Sequence, residues 1–221
     1  MAQAPSQRVV VRRAPERGRY ERAEIEQILD SGLVCHLGFV PPDDEVNGGG
    51  PVVLPTMYAR VDDRLYVHGS PASRMLKTLR KPLPVCFTVT HLDGLVYARS
   101  AFHHSMNYRS VVVMGRALEV TDTEEKLIAL RSLVERFGVG RWEDARKPSL
   151  KEFNKTLVLA LSLDEASAKV RSGPPVDDDE DLEIDVWAGV VPVTLSSGEP
   201  VPDPLLHPTI GPPTYLTSER H

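Results

Sequence analysis

The sequence lacks the features that mark membrane, disulfide-bonded and nucleic-acid-binding proteins. No apolar run approaches the length of a membrane span, and the N-terminal residues contain no apolar signal core. The two cysteines, Cys35 and Cys86, lie in apolar, strand-like stretches, which favours buried thiols in a reducing compartment over a disulfide. A formal net charge of −5 argues against a nucleic-acid partner, since such proteins normally carry a basic surface. We expect a cytoplasmic protein without a nucleic-acid or membrane partner.

Several short motifs of common enzyme classes are also missing. There is no Gly-x-Ser-x-Gly elbow and no Gly-x-Gly-x-x-Gly dinucleotide motif. The glycine triplet at 48–50 does not form a phosphate-loop motif, because no lysine follows it. His103 and His104 are adjacent, so their side chains would point apart on a strand, and no cysteine or carboxylate stands nearby at a ligand spacing. We expect no metal site.

The 221 residues suit one domain with appendages. Residues 1–19 contain five arginines and little apolar content, which predicts a flexible basic arm. Residues 20–172 form the folded domain, and 173–221 form an acidic, proline-rich extension. Within the extension, the acidic run at 177–181 is expected to be a mobile, solvated linker, whereas the apolar segment 186–193 should dock with Trp187 as a packing anchor. The remaining tail is expected to be extended or loosely ordered.

Short alternating apolar runs predict a mainly β protein. A helix is predicted at 21–31 and strands at 33–40, 51–61, 64–68, 85–90, 95–100 and 110–120, with turns at 62–63 and 93–94. A capping box at Thr121 and Glu124 predicts a further helix, in which Leu127, Leu130, Leu133, Val134 and Phe137 are spaced for packing; Ser149 and Glu152 predict a second capped helix. Because strands and helices do not alternate regularly, we expect an antiparallel barrel.

A short helix at 70–79 is the first candidate binding element. Ser70 is a favoured N-cap and Pro71 a favoured first helical residue, and a helix N-terminus offers unpaired amides that suit a phosphate. Ser73, Arg74 and Lys77 share one helical arc with Ser70, opposite the apolar residues 72, 75, 76 and 79. The alternative is the solvated face of an ordinary amphipathic helix.

The second candidate is a polar stretch at the start of a strand. Tyr108 can stack on a flat ring, while Asn107 and Ser110 can bond to its polar edges. Taken without other information, the same stretch, which includes Arg109, is also typical of a polar loop that closes a hairpin.

Segments 25–30, 55–58, 68–74, 93–94 and 103–110, which include parts of both candidate stretches, resemble the flavin-binding split-barrel proteins related to pyridoxamine 5′-phosphate oxidase, nearest to their nitroimidazole-resistance branch. The resemblance covers about residues 18–193. It implies a six-stranded antiparallel split barrel (Greek key) with a few flanking helices, which binds FMN across a homodimer interface.

The resemblance also assigns roles to residues. It implies that the backbone of 55–58 lies along the isoalloxazine ring, that residues at 68–77 hold the ribityl chain and the phosphate, and that 107–110 contact the flavin from the partner chain. The expected cofactor-binding residues are Pro55, Thr56, Met57, Tyr58, His68, Gly69, Ser70, Ser73, Arg74, Lys77, Asn107, Tyr108, Arg109 and Ser110. No catalytic residue is identified, although His68 and His104 are candidate proton donors.

The function implied is an FMN-dependent oxidoreductase acting on a small molecule, with a nitro compound or a quinone as example substrates. Two departures from the family pattern argue against vitamin B6 oxidation. Met75 follows Ser73 and Arg74 where those oxidases usually have lysine, and their C-terminal substrate-phosphate motif has no counterpart. A non-catalytic flavin-binding protein, a haem-binding split barrel and a deazaflavin-using enzyme remain alternatives.

Overall fold

The computed structural model describes residues 2–42 and 49–217 of the chain. Its helices are α1 (Arg22–Ser31), α2 (Arg74–Leu79), α3 (Thr123–Glu135), α4 (Arg141–Asp144), α5 (Leu150–Asn154) and α6 (Thr214–Thr217). Its strands are β1 (Gly18–Arg19), β2 (Val34–Phe39), β3 (Val52–Met57), β4 (Ala59–Val61), β5 (Arg64–Gly69), β6 (Pro84–Tyr97), β7 (Ser105–Arg116), β8 (Leu118–Glu119), β9 (Leu157–Ser162), β10 (Ala166–Arg171) and β11 (Gly189–Pro192). No helix of the described residues is long and apolar enough to cross a membrane.

The strands form two antiparallel sheets around one main core. The larger sheet has the order β1-β10-β7-β6-β2-β3, with β11 added to β6, and the smaller sheet has the order β4-β5-β9-β8. Leu29 of α1, Leu37 of β2, Phe87 of β6 and Leu159 of β9 are at most 2% exposed and meet in this core. The predicted antiparallel split barrel with flanking helices is confirmed.

Strand alternation explains how β2 contributes to the core. Cys35, Leu37 and Phe39 are buried as predicted, and burial raises the pKa of the Cys35 thiol to about 12, so this cysteine stays protonated. Leu33 was expected on the same face, but it precedes the strand and is 43% exposed. The predicted turn at 62–63 is confirmed, with Asp62 in the left-handed region at φ 51° between β4 and β5.

The predicted turn at 93–94 was wrong. Instead, β6 continues from Pro84 to Tyr97 and carries a bulge between Leu92 and Gly94 opposite β7. Asp93 is held there by the Arg109 guanidinium, at 2.9 and 3.0 Å. Gly94 is required for close approach, because a Cβ at this position would lie 2.9 Å from Cγ1 of Val190 on β11.

Two other boundaries differ from the sequence prediction. β7 begins at Ser105, five residues before the predicted start at Ser110, because it pairs along most of β6. The cap of α3 is Asp122, whose side chain accepts a hydrogen bond from the amide of Glu125 at 2.7 Å, so the predicted cap at Thr121 was wrong.

The α3 register also changes which side chains pack. The inward residues are Ala129, Leu130 and Leu133, whereas Leu127 and Phe137, predicted to pack, are 46% and 57% exposed. At α5 the predicted capping box of Ser149 and Glu152 is confirmed.

Both chain extensions contact the barrel. In the stretch expected to be a flexible basic arm, Val9 is buried, Arg8 lies 2.5 Å from Glu165, and β1 pairs with β10. These contacts hold residues 8–19 against the larger sheet. Gly48 of the glycine triplet lies outside the described residues.

The acidic run is not simply a solvated linker. The side chain of Asp177 is 1% exposed and accepts hydrogen bonds from the backbone amides of Arg99 and Ser100 and from the Arg99 guanidinium. Its burial raises the carboxyl pKa, but those hydrogen bonds outweigh that effect, so the pKa of Asp177 is lowered overall. In the segment expected to dock, 186–193, β11 pairs with β6 and Trp187 contacts Tyr97 at 5.7 Å between ring centroids.

Candidate functional site

The first candidate element is a turn between β5 and α2. The hydroxyl of Ser70 accepts a hydrogen bond from the amide of Ala72 at 3.2 Å, and its carbonyl accepts one from Ser73 at 2.9 Å. Ser73 then caps α2 by accepting from the amide of Leu76 at 3.2 Å. The expected cap at Ser70 and the helical position of Pro71 were therefore wrong, because Ser73 supplies a competing cap three residues later and Ser70 closes the preceding turn.

The polar and apolar sides of α2 separate as expected. Met75, Leu76 and Leu79 are buried in the core, whereas Arg74 and Lys77 are exposed. Ala72 was expected on the buried side, but it belongs to the turn and is exposed. We call Ser70, Ser73, Arg74 and Lys77, with His68 and Gly69, the β5–α2 turn cluster.

His68 of this cluster has a buried ring nitrogen, Nδ1, that lacks a hydrogen-bond partner among the described residues. Burial lowers the pKa of His68 below its ordinary value, which favours the neutral imidazole. A buried polar atom without a partner costs free energy, and a ligand's polar group at this point would remove that cost.

The segment 55–58 consists of the last three residues of β3 and the residue after it, and β3 contacts β5. Pro55 is exposed and Thr56 and Met57 are half-buried, so their backbone lies near the surface. Tyr58 is different, because its side chain is fully buried, packs edge-on against Phe87 at 5.1 Å and donates its hydroxyl to the Leu29 carbonyl. Tyr58 can therefore offer only its backbone to a ligand.

The second candidate stretch bonds to neighbouring strands of its own chain. Asn107 is 9% exposed, and its amide group donates to the Gly173 carbonyl at 3.1 Å and accepts from Arg171. Arg109 binds Asp93, and the hydroxyl of Ser110 donates to the Lys169 carbonyl at 3.2 Å. Tyr108 is half-buried opposite Arg171. The two candidate stretches lie on different sheets, since β7 belongs to the larger sheet and β5 to the smaller one.

A second histidine lies among exposed aromatic rings. His104 Nδ1 lies 3.1 Å from the Ser100 carbonyl, and a carbonyl can only accept, so Nδ1 carries the proton and Nε2 keeps a lone pair. The His104 ring contacts Tyr97 at 5.8 Å, and Phe102 and Trp187 nearby are 88% and 64% exposed. Sequence reasoning recognised His104 only as a proton donor, because the docking of Trp187 against Tyr97 depends on the tertiary fold.

The tail also brings carboxylates to His103, where the sequence indicated none. One ligand atom each of His103, Asp178 and Asp181 lies within 4.8 Å of the others, and His103 Nε2 is 3.2 Å from the Asp178 carboxylate. These acids come from a segment about 75 residues further along the chain, so spacing in the sequence did not reveal them. The group lies at the surface.

The pyridoxamine 5′-phosphate oxidase family model matches residues 21–170. The chain belongs to this family. It is similar over 99% of both chains to the flavocytochrome Anf3 of Azotobacter vinelandii, with 40% identity and a TM-score of 0.91. No curated protein sequence matches the chain.

Two further structures extend the comparison. An FAD- and haem-binding protein of Mycobacterium smegmatis is 34% identical, with a TM-score of 0.84 and coverage of 91% of this chain and 96% of that chain. A protein assigned to 5-nitroimidazole antibiotic resistance in Bacteroides thetaiotaomicron is 23% identical, with a TM-score of 0.57 and coverage of 69% of this chain and 86% of that chain. The last likeness shows the fold alone.

Proposed function

We propose that this family member is a flavin- and haem-binding oxidoreductase, active as a homodimer. The main support is the full-length similarity to a flavocytochrome, at 40% identity over 99% of both chains. The FAD- and haem-binding relative, at 34% identity, agrees with it. The turn cluster and the exposed histidine each fit one of the two cofactors.

The β5–α2 turn cluster fits a flavin nucleotide. Its orphaned His68 Nδ1 suits a polar group of the flavin or ribityl chain, and Arg74 and Lys77 supply positive charge on the exposed side. Arginine also offers a planar fork that matches a phosphate group. A bound flavin supplies electron transfer, while these residues position it and balance its phosphate charge.

His104 and its aromatic neighbours fit a haem. The bond from Nδ1 to the Ser100 carbonyl orients the imidazole and leaves Nε2 as the ligating atom, as is usual for metal-bound histidines. Tyr97, Phe102 and Trp187 offer apolar surface to a flat macrocycle. A bound haem would supply one-electron or oxygen chemistry, and His104 would hold its iron through Nε2.

The bound flavin could be FMN, FAD or a deazaflavin. The sequence predicts FMN, whereas one relative above 30% identity is named as an FAD-binding protein, which favours FAD. Extraction of the cofactor followed by mass spectrometry separates FMN, FAD and a deazaflavin directly. The substrate, expected to be a small molecule such as a nitro compound or a quinone, is a further proposal that rests on the bound flavin.

An absorbance spectrum of the purified protein tests the proposal. We expect separate flavin and haem bands, and reduction of both by dithionite. His104→Ala should abolish the haem band and leave the flavin, whereas the neighbouring His103→Ala, whose ring faces Asp178, should retain both.

Other results would change the assignment. Loss of haem in His68→Ala but not in His104→Ala would place the haem at the β5–α2 turn cluster. A protein saturated with haemin that shows no haem band would contradict haem binding altogether.

A further inference from the structure

A cavity lined by three arginines lies between the N-terminal residues and the end of β10. Its volume is about 270 Å³, and Arg17, Arg19, Arg171 and Glu16 are its charged lining residues. Three cations and one anion give this lining a net charge of +2, although the chain as a whole carries −5. We call it the arginine cavity.

Arg171 is the unusual member of this group. It is only 8% exposed, and its guanidinium donates to the amide oxygen of Asn107 and to the Pro174 carbonyl, neither of which carries a charge. Buried charges in proteins are normally paired with an opposite charge. Burial, and then the nearby charge of Arg17, lower the pKa of Arg171. The folded chain therefore holds a buried cation beside a second cation.

The other lining residues leave much of this charge unbalanced. The Arg17 guanidinium lies 3.6 Å from Glu16, whose side chain is 67% exposed and so balances the charge only weakly. Arg19 is fixed in place by the carbonyls of Glu16 and Gly18, at 2.7 and 2.9 Å, and lies 3.3 Å from Glu24. The guanidinium groups are thus anchored by the fold around an open space.

We infer that the arginine cavity binds a small anionic ligand through its phosphate or carboxylate groups. The planar guanidinium of arginine can form two parallel hydrogen bonds with either group. Such a ligand would also supply the negative charge that the hydrogen-bond partners of Arg171 do not carry. Two sources share this chemistry, namely a free anion and the anionic end of a bound cofactor. The cavity also lies next to Asn107 and Tyr108, so a ligand there would adjoin the second candidate stretch.

Calorimetry with inorganic pyrophosphate tests the inference. The titration is made on the protein as purified and on protein stripped of cofactor. We expect Arg17→Gln to weaken pyrophosphate binding at least about tenfold, as for loss of one charge-assisted contact. Arg131→Gln, which removes an equally charged side chain from α3 where Arg131 lies 3.2 Å from Glu143, should bind like the wild type.

The two preparations distinguish the source of the ligand. Binding to the purified protein indicates a free anion, whereas binding only after stripping indicates that the cofactor's own anionic group occupies the cavity. Arg171→Lys, which keeps the charge and loses the fork, should also weaken binding, because an ammonium group cannot form the two-pronged contact. Absence of pyrophosphate binding in both preparations, or equal affinities in Arg17→Gln and Arg131→Gln, would overturn the inference. Flavin content measured in the same samples tests the proposed function separately.

Discussion

At the residue scale, Arg74 is the proposed phosphate ligand of the β5–α2 turn cluster. Arg74→Ala should remove a charge-assisted contact of about 1.5–3 kcal/mol and weaken FMN or FAD binding by roughly ten- to a hundredfold. Riboflavin lacks the phosphate, so its affinity should hardly change, and Arg74→Lys should recover part of the loss. Equilibrium fluorescence titration of stripped protein measures these affinities.

Arg80 provides the matched control for this prediction. It lies at the C-terminal end of the same helix, away from the β5–α2 turn, and its guanidinium binds Glu119 at 3.0 Å. Arg80→Ala should therefore leave flavin affinity unchanged. Equal losses for riboflavin and FMN in Arg74→Ala would show that Arg74 is not a phosphate ligand.

His68 makes stability depend on pH in a defined direction. Because burial lowers its pKa in the folded protein, the unfolded state takes up a proton first as the pH falls below about 6.5. The stability of the stripped protein should decrease from that point and level off below the folded pKa. Denaturant titrations between about pH 7.5 and about pH 5 should show a smaller decrease in His68→Gln than in the wild type.

An exposed histidine on β2 serves as the reference for that measurement. His36→Gln removes an imidazole from the surface and leaves His68 in place, so it controls for the loss of a histidine as such. An unchanged pH slope in His68→Gln would contradict the account of His68 as a buried neutral base.

At the element scale, β11 extends the main sheet from a distant part of the chain. Its backbone pairs with residues 94–97 of β6, and Trp187 covers Tyr97. A chain ending after Asp185 should lose on the order of 2 kcal/mol of unfolding free energy, or roughly 4–8 °C in melting temperature. A chain ending after Val193 keeps β11, so its unfolding free energy and melting temperature should decrease less. Equal melting of the two truncated chains in calorimetry would show that β11 contributes nothing.

The sequence predicts elements best where one signal dominates. Alternation located β2, and the hydroxyl–carboxylate pair of Ser149 and Glu152 located the start of α5. The sequence prediction failed at Asp93 and Gly94, because these residues have the composition of a hairpin turn but form a bulge. The reason lies in long-range contacts, namely the ion pair with Arg109 and the approach of Val190, which local propensity does not contain.

At the scale of the whole molecule, the sequence predicted those candidate site residues that lie close together in the chain, but not the groups that distant segments form. The polar spacing of the β5–α2 turn cluster is local, and it was visible in the sequence. The arginine cavity and the setting of His104 were not, because each joins segments about 80 to 150 residues apart in the chain. The pairing of such segments depends on tertiary contacts, which no single stretch encodes.

The proposed homodimer gives a role to two candidate stretches that lie on different sheets of one chain. Asn107, Arg109 and Ser110 bond to β6, β10 and the Gly173 loop of their own chain. In the proposed dimer, the stretch held in this way would contact the flavin of the partner subunit. Sedimentation of the cofactor-bound protein at micromolar concentration should give twice the chain mass of 24.5 kDa. A cofactor-bound monomer would contradict the dimer.

Mixed dimers test whether one site is built from two chains. Arg74→Ala damages the turn cluster, and Tyr108→Ala damages the stretch that would come from the partner. If each site combines both, a mixed dimer carries one doubly altered site and one native site. Random exchange of the two variants should therefore restore tight flavin binding at about a quarter of all sites, although neither variant binds tightly alone. Titration of the exchanged mixture measures this fraction. No recovery, in a mixture shown by mass spectrometry of tagged chains to have exchanged, would place each site within a single chain.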